Sequence, residues 1–249
     1  GEGTDILVLG TGTTYTAEES AGSGISGFEV IAPNSASLVQ NMSGLGENSI
    51  ATLAVAGGTS GTIQEGAIST VLATGSATAV LGLATDSAAD SLTVSIQNAT
   101  GAVAAKALSL SAQDYEALTI SSTGADNNSV TLGTTEAGYL ATTAAEIAAQ
   151  VAAAAARTAS DLTSITVVGN KNLTVTTSAE DTALATVNAS AFTGKELTVA
   201  ASSSDAAMTV TAAGAYKATI TTGDGADSVT VGDGGAALAN SITTGKGND

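Results

Sequence analysis

The most regular feature of the chain is a three-residue unit, apolar–Thr–apolar. Its clearest copies are Leu92-Thr93-Val94, Leu118-Thr119-Ile120, Val130-Thr131-Leu132, Leu173-Thr174-Val175, Leu197-Thr198-Val199, Met208-Thr209-Val210, Ala218-Thr219-Ile220 and Val229-Thr230-Val231. From Leu197 onward the copies begin about every ten or eleven residues, the spacing of short strands joined by turns. Period-two alternation puts the first and third residues on one face and the β-branched Thr on the other. Gly, Ser, Asn and Asp fill the gaps. Short strands at even spacing with such gaps predict a mainly β chain built as a β-solenoid.

The solenoid pattern is clearest from about residue 160 onward. Before it, Ile50 to Val80 reads as short strands with Gly-rich turns at Gly57-Gly58 and Gly61. A second signature, small-residue turn–aromatic–Glu–strand, occurs at Ile25-Ser26-Gly27-Phe28-Glu29-Val30-Ile31 and again over Leu110 to Leu118 with Tyr115-Glu116, and more weakly at Asp161-Leu162-Thr163-Ser164-Ile165. The predicted organisation is an irregular β-solenoid unit over residues 1–120 and a second over residues 121–249. One segment breaks the pattern: Thr142 to Arg157 is rich in Ala, with Thr143 and Glu146 at capping-box spacing and Ile147 and Val151 on one face. It predicts an inserted α-helix over about 142–157, on the side of the solenoid.

Composition narrows the core. Hydrophobic residues make up 43% of the chain but aromatics only 2%, with no Trp. The core must therefore be thin layers of Ala, Val, Leu and Ile, as in repeat proteins whose units pack on their neighbours. The 23 acidic residues against six basic ones give a net charge of −17. That surface repels nucleic acid and anionic lipid and attracts cations. Cys is absent, consistent with a large secreted bacterial protein. No apolar run is long enough to span a membrane. The start at Gly1 without Met and the end at Asp249 inside a motif lead us to read the chain as a piece of a longer protein.

Candidate chemistry lies in Gly-Asp turns. Thr222-Gly223-Asp224-Gly225-Ala226-Asp227-Ser228-Val229-Thr230 fits the RTX nonapeptide G-G-x-G-x-D-x-U-x, with Thr in the first Gly place. In that motif the glycines permit a tight turn with φ > 0, backbone carbonyls turn inward, and the Asp adds a carboxylate. Such oxygen-rich turns suit Ca2+ when stacked. Gly1-Glu2-Gly3-Thr4-Asp5-Ile6-Leu7 and Thr244-Gly245-Lys246-Gly247-Asn248-Asp249 are partial copies, Gly232-Asp233-Gly234-Gly235 keeps only part of the pattern, and Ser122 to Val130 is a weaker echo. The candidate calcium ligands are thus Gly1, Gly3, Asp5, Gly223, Asp224, Gly225, Asp227, Asp233, Gly245, Gly247 and Asp249. The bland alternative is ordinary Gly-Asp turns between strands.

Catalysis has little to work with. Without His or Cys, Ser-His-Asp and Cys-His systems cannot be built. Asp90, Asp114 and Glu116 could pair as a glycosidase would need, but aromatic sugar platforms are scarce. The chain is expected not to be an enzyme. Phe28 and Tyr115 read as plugs at the ends of coils, with surface recognition as the alternative.

Together these residues resemble Gram-negative RTX-type S-layer proteins, which are calcium-dependent and exported by type I secretion. The resemblance rests on Gly1 to Val8, Ile25 to Glu29, the Leu-Thr-Val coils, Val187-Asn188-Ala189-Ser190-Ala191-Phe192-Thr193-Gly194 and the closing Gly-x-Gly-x-Asp turns. It implies parallel β-roll-like coils, Ca2+ in the turns and between protomers, and a homo-oligomeric lattice on the bacterial cell surface. It also implies anchoring to surface polysaccharide through a part not present. An RTX adhesin or an extracellular filament protein are the alternatives.

Overall fold

The structure is a computed structural model that describes residues 3–10, 25–34, 37–97, 106–124, 127–135, 160–214, 216–233 and 239–249. The predicted helix over 142–157 lies outside the described residues, as does Gly1. The strands are, in chain order, β1 (Ile6–Leu9), β2 (Val30–Pro33), β3 (Ser37–Asn41), β4 (Thr52–Val55), β5 (Ser60–Gly66), β6 (Thr70–Ala73), β7 (Ala77–Leu83), β8 (Ser91–Ile96), β9 (Ala107–Ser111), β10 (Ala117–Ser122), β11 (Asn128–Leu132), β12 (Ser164–Gly169), β13 (Leu173–Thr176), β14 (Thr186–Asn188), β15 (Glu196–Ala200), β16 (Thr209–Ala212), β17 (Lys217–Thr221), β18 (Ser228–Val231) and β19 (Ser241–Thr243). A 3-10 turn over Met42–Leu45 follows β3.

From β2 onward the strands alternate between two sheets. Sheet 1 has the order β1-β2-β4-β6-β8-β10-β12-β14-β16-β18 and sheet 2 the order β19-β17-β15-β13-β11-β9-β7-β5-β3. Every pairing between these strands is parallel. The chain is therefore a two-sheet β-solenoid, in which each coil adds one strand to each sheet. From Leu197 onward, successive apolar–Thr–apolar units are not stacked neighbours but lie on alternate walls of the coils. Leu173 stacks on Leu197, and Leu197 on Ala218. Both sheets run without a break across residue 120, because β10 pairs with β8 and β12, and β11 with β9 and β13.

The alternation does what its period requires. In β10, Leu118, Ile120 and Ser122 are buried while the residues between them are half-exposed. Inward residues of both sheets form one continuous apolar core, from Leu9 and Ile31 through Val94, Leu108 and Val175 to Val210 and Ile220. Parallel sheets usually need cover on both faces. Here the second face is tolerated in water because Thr, Ser and Asn occupy it. One such outward row in sheet 1 runs Thr52, Thr70, Thr93, Thr119, Thr166, Asn188, Thr211 and Thr230. None of the ten strands of sheet 1 contains a charged residue.

The four aromatics among the described residues lie in turns, where an edge of the coil would otherwise be open. Tyr115 is 2% exposed, and its hydroxyl donates to the Ile68 carbonyl at 2.6 Å. Tyr216 donates likewise to Ala189, at 3.0 Å, and meets Phe192 edge to face with centroids 5.1 Å apart. Phe28 is half-buried against the core. Leu162 is buried in the third copy of that signature, one coil beyond Tyr115. Tyr115 and Phe28 thus serve as plugs.

Candidate metal centre in the stacked turns

The turns fall on two sides of the solenoid. On one side Gly3–Asp5 and residues 25–29, 84–90, 112–116 and 201–208 lead into sheet 1 strands, and the two best motif copies, residues 222–227 and 244–249, follow sheet 2 strands on that same side. Asp233 follows β18 on the opposite side and is exposed. Gly3 and Asp5 share the side of the closing turns but lie at the other end of the solenoid. The structure therefore brings together Gly223, Asp224, Gly225, Asp227, Gly245, Gly247 and Asp249, and separates Asp233, Gly3 and Asp5 from them.

Strand alternation sets where each carboxylate points. Before several sheet 1 strands the preceding residue shares the phase of that strand's inward residues, as buried Met208 and Asp227 do before β16 and β18. A carboxylate there accepts the backbone N–H of the same position one coil earlier. Glu29 Oε2 accepts from Asp5 N at 2.8 Å, Glu116 Oε2 from Asp90 N at 2.5 Å, Asp227 Oδ1 from Met208 N at 2.9 Å, and Asp249 Oδ1 from Asp227 N at 2.9 Å. The recurring signal in the sequence is an acid two residues before the first inward apolar residue. Asp90-Ser91-Leu92 carries it too and was missed by motif matching.

At the closing turns this arrangement leaves something unsatisfied. Asp227 is 7% exposed, and its Oδ2 has no hydrogen-bond partner. The position stacked on it one coil earlier is Met208, an ordinary core residue at 1% exposure. A carboxylate thus stands where the preceding coil has an apolar plug, and a buried carboxylate oxygen without a partner is costly. An oxygen-binding cation relieves that cost, and the donor set of carboxylate, hydroxyl and backbone carbonyls suits calcium. Asp224 is placed differently from the sequence expectation. It faces outward, with Oδ1 accepting from Lys246 N at 3.1 Å and Oδ2 lying 3.6 Å from Lys246 Nζ.

The glycines also differ from expectation in their reason. None of Gly223, Gly225, Gly245 and Gly247 has positive φ, whereas Gly3 does, at 127°. They are required by close approach between coils. A Cβ on Gly223 would meet Ser204 O at 1.8 Å, on Gly225 Ala206 O at 2.1 Å, on Gly245 Gly223 O at 2.2 Å, and on Gly247 Gly225 O at 2.0 Å. The stacking is direct: Gly245 N donates to Gly223 O at 2.9 Å, and Asp224 N to Ser204 O at 3.0 Å.

A second acidic group lies farther up the same side. Carboxylate oxygens of Asp86, Asp90 and Glu116 lie within 4.8 Å of one another. Asp90 Oδ2 accepts from Ser87 N at 2.7 Å. Asp114 is turned to the backbone instead, with Oδ2 accepting from Leu83 N at 3.0 Å.

Fold and turns together define the class: a two-sheet parallel β-solenoid with stacked Gly-Asp turns along one edge. Comparison with protein-family models, curated proteins and solved structures gives no match. Among the described residues, no helix is long and apolar enough to cross a membrane.

Proposed function

We propose that the chain is a calcium-ordered structural segment of an extracellular bacterial protein that assembles with copies of itself, as RTX-type S-layer proteins do. The observation that carries this reading is the pair of stacked T-G-x-G-x-D turns with a buried carboxylate oxygen of Asp227 left without a partner. Asp227 and Asp249, with carbonyls of the Gly223–Gly225 and Gly245–Gly247 stretches, would hold the ion. The ion would neutralise the turn and order the last coils on the rest. A chain at −17 resists self-contact; calcium lowers that resistance, and binding confined to the folded form stabilises it by mass action. No catalytic role is proposed. A calcium-stiffened adhesin is the second reading, favoured by the outward hydroxyl rows of both sheets.

Titration of calcium from zero to millimolar, followed by circular dichroism and light scattering, tests the reading. The expected result is a gain of β signal and thermal stability, then growth of large assemblies. β signal without growth favours the adhesin. Identical melting in calcium and in chelator would overturn the calcium reading altogether.

A further inference from the structure

We infer that Thr222 supplies a side-chain oxygen to the cation bound beside Asp227, making the site an interior one that draws on both walls of the coil. The inference rests on the calcium reading above. Thr222 directly follows β17 and continues the inward phase of Ala218 and Ile220. Asp227 directly precedes β18, in the phase of Val229 and Val231. The two side chains thus enter the same turn from opposite legs.

Both carry an oxygen that nothing in the protein satisfies. Thr222 is 2% exposed, and its Oγ1, like Asp227 Oδ2, has no hydrogen-bond partner. A threonine in this column can find a backbone partner: Thr177, on the same wall two coils earlier, donates to the Ala200 carbonyl at 3.3 Å. Thr222 makes no such bond. A buried hydroxyl with no partner costs stability, and the neighbouring coil shows that the column does not need one. The position stacked on Thr222 there is Ala201, at 0% exposure, and that coil carries Met208 in place of Asp227. Hydroxyl and carboxylate are thus absent together in one coil and present together in the next. The closing turn repeats the pair as Thr244 and Asp249. In the nonapeptide the first place is a Gly, so this hydroxyl is an addition made by this chain. A neutral oxygen beside carboxylates is a normal member of a calcium shell.

The test is calorimetric titration of calcium chloride into the whole chain and its variants, with urea unfolding in chelator alongside. Asp227→Asn identifies the binding event that belongs to this turn. Thr222→Val should weaken that event by about tenfold, the scale on which ligand number tunes calcium sites, while stability in chelator stays the same or rises. Thr222→Ser, which keeps the hydroxyl, should stay close to the parent. Thr222→Ala, which reproduces Ala201, gives the same reading if the valine variant does not fold. Unchanged calcium affinity in a folded hydroxyl-free variant overturns the role of Thr222 and leaves the calcium reading standing. If the parent chain shows no event that Asp227→Asn removes, the calcium reading of this turn fails, and the inference with it.

Discussion

Tyr115 shows how much a single side chain carries in a core this thin. It fills the edge of the coil between β9 and β10, and its hydroxyl satisfies Ile68 O across two coils. Burial, with the charges of Asp114 and then Asp90 adding to it, holds the phenol protonated far above the ordinary tyrosine range. Burial also raises Tyr216. A pKa raised on folding gives stability that is complete below the unfolded value, about 10 for tyrosine, and is lost as pH rises through the folded one. The urea midpoint, followed by circular dichroism, should therefore fall from about pH 10 upward, where the unfolded tyrosines ionise. Tyr115→Phe should lower stability at neutral pH by about 1–3 kcal/mol, because the Ile68 carbonyl loses its donor, and should make the alkaline decline shallower. An identical alkaline slope in the variant would show that the decline has another origin.

At the scale of elements, the turns decide stacking, and the glycines decide the turns. Gly225→Ala places a Cβ against the Ala206 backbone of the preceding coil, where no flexible side chain can yield. The variant should lose about 1–3 kcal/mol or more, most visibly as fraying of β18 and β19. Gly3→Ala meets no atom within 4 Å, so its cost is only that of positive φ. Chemical denaturation of both variants separates the two causes; equal losses would mean that coil contact is not what requires Gly225. Much of this architecture was legible in the chain. Period-two alternation with Thr on the outward beat gave the strands, and the Gly-Asp turns gave one side of the coil. The number of strands per coil was not legible, since Leu197, Met208 and Ala218 look equivalent in sequence yet belong to alternate sheets. The separation of Asp233 from Asp227 follows from that same alternation. The inward aim of Asp227 comes instead from the phase of β18, and Asp224 is turned outward to Lys246, although local motif matching treats the two alike.

At the scale of the molecule, charge is segregated. The chain is strongly acidic, yet the sheet 1 strands carry no charge, and the sheet 2 strands carry Glu65, Glu196 and Lys217, the last two 3.9 Å apart as a pair. Among the described residues the acidic groups sit mainly in the turns on the edge that leads into sheet 1, whereas the opposite edge carries Lys106, Lys171 and Lys195 beside Asp233. Two copies meeting through their acidic edges oppose like charges, while two meeting through sheet 1 bring together Thr, Ser and small apolar residues. With strands about 4.8 Å apart and a rise of about 3.3 Å per residue, ten short strands present on the order of 700 Å², near the roughly 800 Å² per partner of a stable interface. If assembly uses this face, Thr119→Glu with Thr211→Glu puts two carboxylates into its central row without touching the core or the calcium turns. The double variant should fold, melt and respond to calcium as the parent does, apart from small surface effects of about 0.5 kcal/mol. Its light scattering in millimolar calcium should stay at the level of single chains. The comparable change on sheet 2, Thr131→Glu with Thr219→Glu, also three strands apart, should leave assembly intact, because that wall is then not the contact. Assembly lost through the sheet 2 pair and kept in the sheet 1 pair would assign the contact to the opposite wall.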